Sequence, residues 1–202
     1  MLRRRSLLKA SATLPLAMAL SPFDSKVLDA STVVEPNRLG SEQTTKSDWI
    51  DAHVHVWTPD ISKYPLSDKY KRSDMAPPSF TPEELFHHCK PEGVAKVVLI
   101  QMSFYGFDNR YMLDSMEKHS GVFSGVAIVD ETRGDLAKEM KSLGAKGVRG
   151  FRLYTDKEKA TSWKDSKGMN GMWSAAADMG QAMCLLANPD ALPIVYQMCD
   201  RY

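Results

Sequence analysis

The chain has 202 residues, a formal net charge of +1, 43% hydrophobic residues and 25% charged residues. This is ordinary globular composition, and the near-neutral balance argues against nucleic acid as the main partner. Three cysteines, Cys89, Cys184 and Cys199, lie far apart with no CxxC or Cys–His spacing. A disulfide framework is therefore not expected, and buried free thiols are.

Residues 1–20 read as an export signal. Arg3-Arg4-Arg5-Ser6-Leu7-Leu8-Lys9 is a basic head, followed by an uncharged apolar run from Ala10 to Leu20 that contains Ala17-Met18-Ala19, a small-x-small cleavage candidate. The run is too short to span a bilayer, so no membrane span is expected in the mature chain. Arg4-Arg5-Ser6-Leu7-Leu8-Lys9 resembles the twin-arginine export signal, with Leu7 where Phe is more usual, which implies a periplasmic protein exported folded. An ordinary secretory signal is the alternative. Residues 21–47 are rich in Ser, Thr, Pro and charge without sustained periodicity, and read as a linker.

The globular part, 48–202, opens on Trp49-Ile50-Asp51-Ala52-His53-Val54-His55-Val56-Trp57. The pattern predicts a strand from about Asp48 to Val56. Residues two apart share a face of a strand, so Asp51, His53 and His55 are expected together, opposite Ile50, Ala52, Val54 and Val56. Two imidazoles side by side cost desolvation unless something uses them, and a divalent cation does. The long, proline-rich stretch from Trp57 to Pro78 leaves the histidine-bearing end and reads as a binding loop, with Trp57, Tyr64 and Tyr70 as candidate walls of a pocket.

A first helix starts at Thr81 as N-cap with Pro82 at the first helical position and runs to about Cys89. Its adjacent His87 and His88 cannot chelate one ion well, and read as surface or packing residues. A second strand, Ala95 to Gln101, is a continuous apolar run of the parallel-sheet type ending on Gln101. A helix follows from about Asn109 to His119 with Asp108 as cap, then a strand from Val122 to Val129 closed by Asp130. The next helix spans Asp135 to Leu143 with Gly144 as its cap. The fourth strand, Gly147 to Tyr154, carries Arg149 and Arg152 at opposite parity, and Arg152 is nearer its C-terminal end. A helix within Gly171 to Met179 stops at Gly180. A fifth strand covers Gln181 to Ala187, and another helix begins after Asn188-Pro189-Asp190.

Regular alternation of strands and helices predicts a parallel α/β sheet. No GxGxxG follows the first strand and no GxxxxGK[ST] occurs, so the common nucleotide-binding versions of an open sheet are unsupported. Asp51-Ala52-His53-Val54-His55-Val56-Trp57, Val97-Val98-Leu99-Ile100-Gln101 and Gly147-Val148-Arg149-Gly150-Phe151-Arg152-Leu153 together resemble the amidohydrolase-related family. These are metal-dependent TIM-barrel hydrolases, and the similarity is to the branch with pyrone-dicarboxylate and sugar lactonases.

The resemblance implies a (β/α)₈ TIM-barrel fold, of which 48–202 covers about the first five strand–helix units, since a full barrel takes roughly 250 residues. It implies that His53 and His55 bind a divalent ion, zinc or manganese. Asp51 would orient a histidine from behind, and Gln101 and Arg152 would hold a small-molecule substrate. The implied activity is hydrolysis of a lactone or similar carbonyl compound, with a metal-dependent decarboxylase as the alternative. The family's catalytic base and later ligands come from strands beyond Tyr202. The chain is therefore expected to be a poor catalyst alone, or a non-catalytic fragment or subunit. Its open sheet edges are expected to favour self-association.

Overall fold

The computed structural model describes residues 48–202, so the expected export signal at 1–20 and the expected linker at 21–47 lie outside the described residues. Five parallel strands, β1 (Trp49–Val54), β2 (Val94–Ile100), β3 (Phe123–Ala127), β4 (Val148–Thr155) and β5 (Ala182–Ala187), lie side by side in sequence order. They curl into a half-barrel. The six helices are α1 (Pro82–Cys89), α2 (Arg110–Lys118), α3 (Leu136–Ala145), α4 (Lys157–Trp163), α5 (Lys167–Met179) and α6 (Leu192–Arg201).

The core lies between the sheet and these helices. Val97 and Leu99 of β2, Ala127 of β3 and Phe151 of β4 meet Leu85, Met112, Met140, Leu143, Met172 and Met198 there. Methionines dominate the helical side, and their unbranched thioethers fill the irregular gap against a curved sheet. Gly125 belongs to the same seam, because a Cβ there would lie 2.8 Å from the Met116 sulfur.

Local signals set most boundaries. Thr81 and Glu84 form a reciprocal capping box at the start of α1, with Pro82 as its first residue. Lys118 of α2 bridges to Glu83 of α1 at 2.6 Å. That ion pair holds the Glu83 carboxyl down at about 2. Gly180 ends α5 in the left-handed conformation at φ 65°.

Several elements differ from expectation. α4 is additional: Asp156 caps it by accepting from Lys159 N, and Ala160 and Trp163, one turn apart, are its buried face. α5 starts at Lys167 rather than Gly171, because the Ser166 hydroxyl accepts from Met169 N. Gly144 lies inside α3, and Gly147 makes the reversal into β4 at φ 96°. Asp108 does not cap α2 from the N-cap position, which Asn109 holds; its carboxylate instead takes Arg110 N and the Arg110 guanidinium. Of the three thiols expected to be buried, Cys89 is buried and Cys184 partly so, but Cys199 is exposed on α6. No helix among the described residues is long and apolar enough to cross a membrane.

The two glycines near the start of α5 meet different surroundings. A Cβ at Gly168 would fall 2.0 Å from the Glu131 carbonyl oxygen, whereas one at Gly171 meets nothing within 4 Å. Gly168→Ala should therefore lower Tm by several degrees. The backbone must move, at about 1–3 kcal/mol, which outweighs a helix-propensity gain of at most about 1 kcal/mol. Gly171→Ala should keep or raise Tm. Calorimetry giving both variants the same sign of shift would contradict this packing.

Candidate functional site

The site is organised by the pairing of β1 with β2. Asp51 pairs with Val97 and Val54 with Leu99. Parallel partners share a face, and both partners face the helices. Asp51 and Val54 are three residues apart, so β1 carries one extra residue between them, a β-bulge. The bulge ends the simple alternation. Val54 faces the core, and His53 and His55 on either side of it face the concave surface. Asp51, expected on the histidine face, takes the helix side instead. Burial first, and the Asp51 charge in addition, push up the thiol pKa of Cys89 on α1.

His55 lies just past the end of β1, beyond the strand's last residue, Val54. Its ring is nevertheless fixed, with Nδ1 2.8 Å from the carbonyl oxygen of Ile100 at the end of β2. A carbonyl only accepts, so Nδ1 carries the proton and Nε2 keeps a free lone pair. That Nε2 stands 3.4 Å from Nε2 of His53, the rings meeting edge to face at 88°. Two nitrogens held about 2.0–2.1 Å from one ion at the tetrahedral angle would stand about 3.4 Å apart. The pair thus has the bite of a bidentate metal ligand. Among the described residues, no group of three or more His, Cys, Asp and Glu side chains could hold a metal ion.

The other expected site residues divide. Arg152 on β4 reaches under the sheet end and donates from Nη1 to the carbonyl oxygen of Gln101 at 3.2 Å. Arg149 lies at the opposite end of β4, bonded to the Gly144 carbonyl at 2.9 Å. Gln101 is 1% exposed, and its amide donates to the Asp108 carbonyl at 2.8 Å. Its side chain is part of the framework rather than presented to a substrate. The Asp51 carboxylate accepts from the main-chain N–H of His53 at 3.1 Å, not from an imidazole. The orienting partner that sequence reasoning assigned to Asp51 is the Ile100 carbonyl. No side-chain pattern could have revealed a main-chain acceptor on another strand.

Burial lowers the pKa of His55 most; the hydrogen bond to Ile100 opposes it, and the positive charge of Arg152 lowers it further, so the net shift is downward. The net effect favours the neutral ring, the form that binds metal.

An open cavity of about 480 Å³ adjoins the histidines and wraps the edge of β1, lined by Asp51 and Val54 as well as by Trp57, Pro77, Phe80 and Leu85. Trp57 is held there by two main-chain bonds to Phe80, at 2.9 and 3.0 Å, and by its indole N–H on the Pro77 carbonyl at 2.9 Å. Of the other candidate walls, Tyr64 turns to α2, donating to Asp114 at 2.6 Å. Tyr70 packs edge-on against Phe104. The loop is also pinned by Ser67 N–H on the Phe104 carbonyl at 2.8 Å. Neither His87 nor His88 lines this cavity, and His88 stacks on Phe80.

A parallel half-barrel with a histidine pair at the C-terminal end of its first strand defines a (β/α)-barrel of the kind that builds its site on that face. The chain belongs to the amidohydrolase family, whose model matches residues 50–202. It is 32% identical over 104 residues to a 2-pyrone-4,6-dicarboxylate hydrolase of Comamonas testosteroni. It is 36% identical over 101 residues to a 4-sulfomuconolactone hydrolase of Hydrogenophaga intermedia. These matches cover 52% and 49% of this chain, and 32% of the length of each relative. The chain thus aligns with about a third of the curated relatives.

Among solved structures, a Burkholderia multivorans amidohydrolase with bound zinc superposes with a TM-score of 0.60 at 18% identity, over 77% of this chain and 54% of that one. A probable 2-pyrone-4,6-dicarboxylic acid hydrolase of Acinetobacter baumannii with citric acid bound gives 0.59 at 19%, over 76% and 54%. At these identities the superpositions show the barrel fold.

The electrostatic coupling of Arg152 to His55 is open to direct measurement. Removing the guanidinium removes a nearby positive charge, so the imidazolium becomes easier to form. Arg152→Met should raise the His55 pKa toward 6.5, as read by NMR titration of the ring. An unmoved or lowered value would show that the charge does not act there.

Proposed function

We propose that this protein is a metal-dependent hydrolase of lactones or similar small carbonyl compounds, with His53 and His55 as ligands of a divalent ion, zinc or manganese. The observation that carries the reading is the 3.4 Å approach of the two Nε2 atoms, with His55 held in the ligating tautomer by Ile100. Such an ion, when bound, supplies Lewis acidity to a carbonyl and acidifies water. The chain's own groups contribute charge and an apolar wall. Arg152 places a permanent positive charge on the concave face, suited to a substrate carboxylate. The apolar wall of Trp57, Pro77 and Phe80 offers a surface for the apolar part of a substrate. The hydrolase names of the two curated relatives and the bound zinc of one solved neighbour support the assignment.

The direct test is metal content together with turnover. The purified chain should take up about one equivalent of cobalt(II), zinc or manganese. His53→Ala and His55→Ala should each abolish that uptake. Hydrolysis of 2-pyrone-4,6-dicarboxylate by the parent is expected to be slow, since the described residues supply two ligands and no base, and should fall to background in both variants. Equal metal content in parent and both variants would overturn the ligand assignment. Turnover that persists in the metal-free parent would overturn the mechanism.

We further propose export of the folded chain, on the strength of Arg4-Arg5-Ser6-Leu7-Leu8-Lys9 before an apolar run. An Arg4→Lys, Arg5→Lys double variant should stay in the cytoplasm in cell fractionation while the parent reaches the periplasm. Unchanged export of the double variant would assign the general secretory route instead.

A further inference from the structure

The two side chains that approach the end of β2 are both oriented by it. Ile100 and Gln101 present consecutive carbonyls, and consecutive carbonyls of a strand point to opposite sides. The Ile100 carbonyl takes the Nδ1–H of His55 at 2.8 Å, on the β1 side. The Gln101 carbonyl takes Nη1 of Arg152 at 3.2 Å, on the β4 side. Main-chain bonding to β3 ends at this same residue, where Gln101 N–H meets the Val126 carbonyl at 2.8 Å. Beyond it the chain leaves the sheet, turns through Ser103–Tyr105, and passes Gly106 at φ 55° before α2. Residues at such a departure are ordinarily free to shift, yet here two functional side chains take their direction from them.

Two buried carboxamides close this turn. Gln101 donates from its side chain to the Asp108 carbonyl at 2.8 Å, joining the first residue of the turn to its end. Asn109 then ties that end to Ile128, the residue after β3. Its Nδ2 donates to Phe107 and Ile128 carbonyls at 3.1 and 2.8 Å, and its Oδ1 accepts from Ile128 N–H at 3.1 Å. A buried hydrogen bond whose partner is deleted leaves an unpaired group, so the turn cannot relax cheaply without Gln101.

We propose that Gln101 is a positioning residue for the histidine pair. Its buried amide holds the end of β2 so that the Ile100 carbonyl keeps His55 protonated at Nδ1, with Nε2 aimed at His53. The same bond keeps the Gln101 carbonyl under Arg152. The inference rests on the reading of His53 and His55 as metal ligands only for its effect on affinity; the effect on the His55 tautomer is independent of it. Partners that orient a ligating imidazole from behind commonly change metal affinity 10–100-fold when altered.

The test compares the parent with Gln101→Leu, which keeps the volume and loses the donor, and with Leu143→Ala as a destabilised control away from the turn. At a pH where the rings are neutral, ¹⁵N NMR of the metal-free parent should show His55 protonated at Nδ1. Gln101→Leu should show a mixture of tautomers and bind cobalt(II) 10–100-fold more weakly. Leu143→Ala should leave both readouts as in the parent. A folded Gln101→Leu with the parent tautomer overturns the proposal. So does a control that loses the tautomer to the same degree. If the parent binds no cobalt while the tautomer still changes in Gln101→Leu, positioning stands and the metal reading falls. Should Gln101→Leu fail to fold, the parent still decides: the Gln101 side-chain amide protons must exchange with solvent far more slowly than those of an exposed glutamine. Free exchange overturns the proposal.

Discussion

One hydrogen bond orders the candidate site of this half-barrel, the one from the His55 ring to the Ile100 carbonyl. A strand end in a parallel sheet carries carbonyls that the next strand does not take, and each needs a donor. Here the donor is an imidazole, and the arrangement satisfies the backbone while fixing which ring nitrogen is free. The same bond brings a residue already beyond the last pair of β1 back into register with the sheet. Without it, His55 would belong to the loop, and the 3.4 Å approach to His53 would have no cause.

The sequence showed the large elements clearly. Apolar runs such as Val97-Val98-Leu99-Ile100 can only be central strands, and Thr81-Pro82-Glu83-Glu84 carries every signal of a helix start. The spacing of His53 and His55 put them on one face, but the Ile100 carbonyl that brings their rings to 3.4 Å lies on another strand. The face of Asp51 did not, because a bulge is a relation between two strands, and residue periodicity within one strand cannot record it. Gln101 was legible as a polar residue at a strand end, which suggested a substrate contact. That its amide is consumed by the Asp108 carbonyl depends on the path of a seven-residue turn. The helix Lys157–Trp163 had a cap and two buried positions, a signal too short to stand apart from a loop.

The alignment with about a third of the curated relatives' length bears on the site directly. The described residues contribute two imidazole nitrogens and a guanidinium, all placed by β1, β2 and β4. The His55 ring and the Arg152 guanidinium are held by the Ile100 and Gln101 carbonyls, and the His53 ring by its edge-to-face contact with His55. Burial and the Arg152 charge bias His55 to its neutral form before any ion arrives, which lowers the cost of losing a proton on binding.

The loop from Trp57 to Phe80 has a kinetic consequence. It is clamped at its base by paired main-chain bonds, at its middle to the turn after β2, and on its flank to α2. A segment held at three separate places behaves as masonry rather than as a door. Ligand exchange at the histidine pair therefore needs no prior microsecond-to-millisecond opening of this segment. An anion approaching through this side should be drawn in by the field of Arg152, its association slowing with added salt as that field is screened.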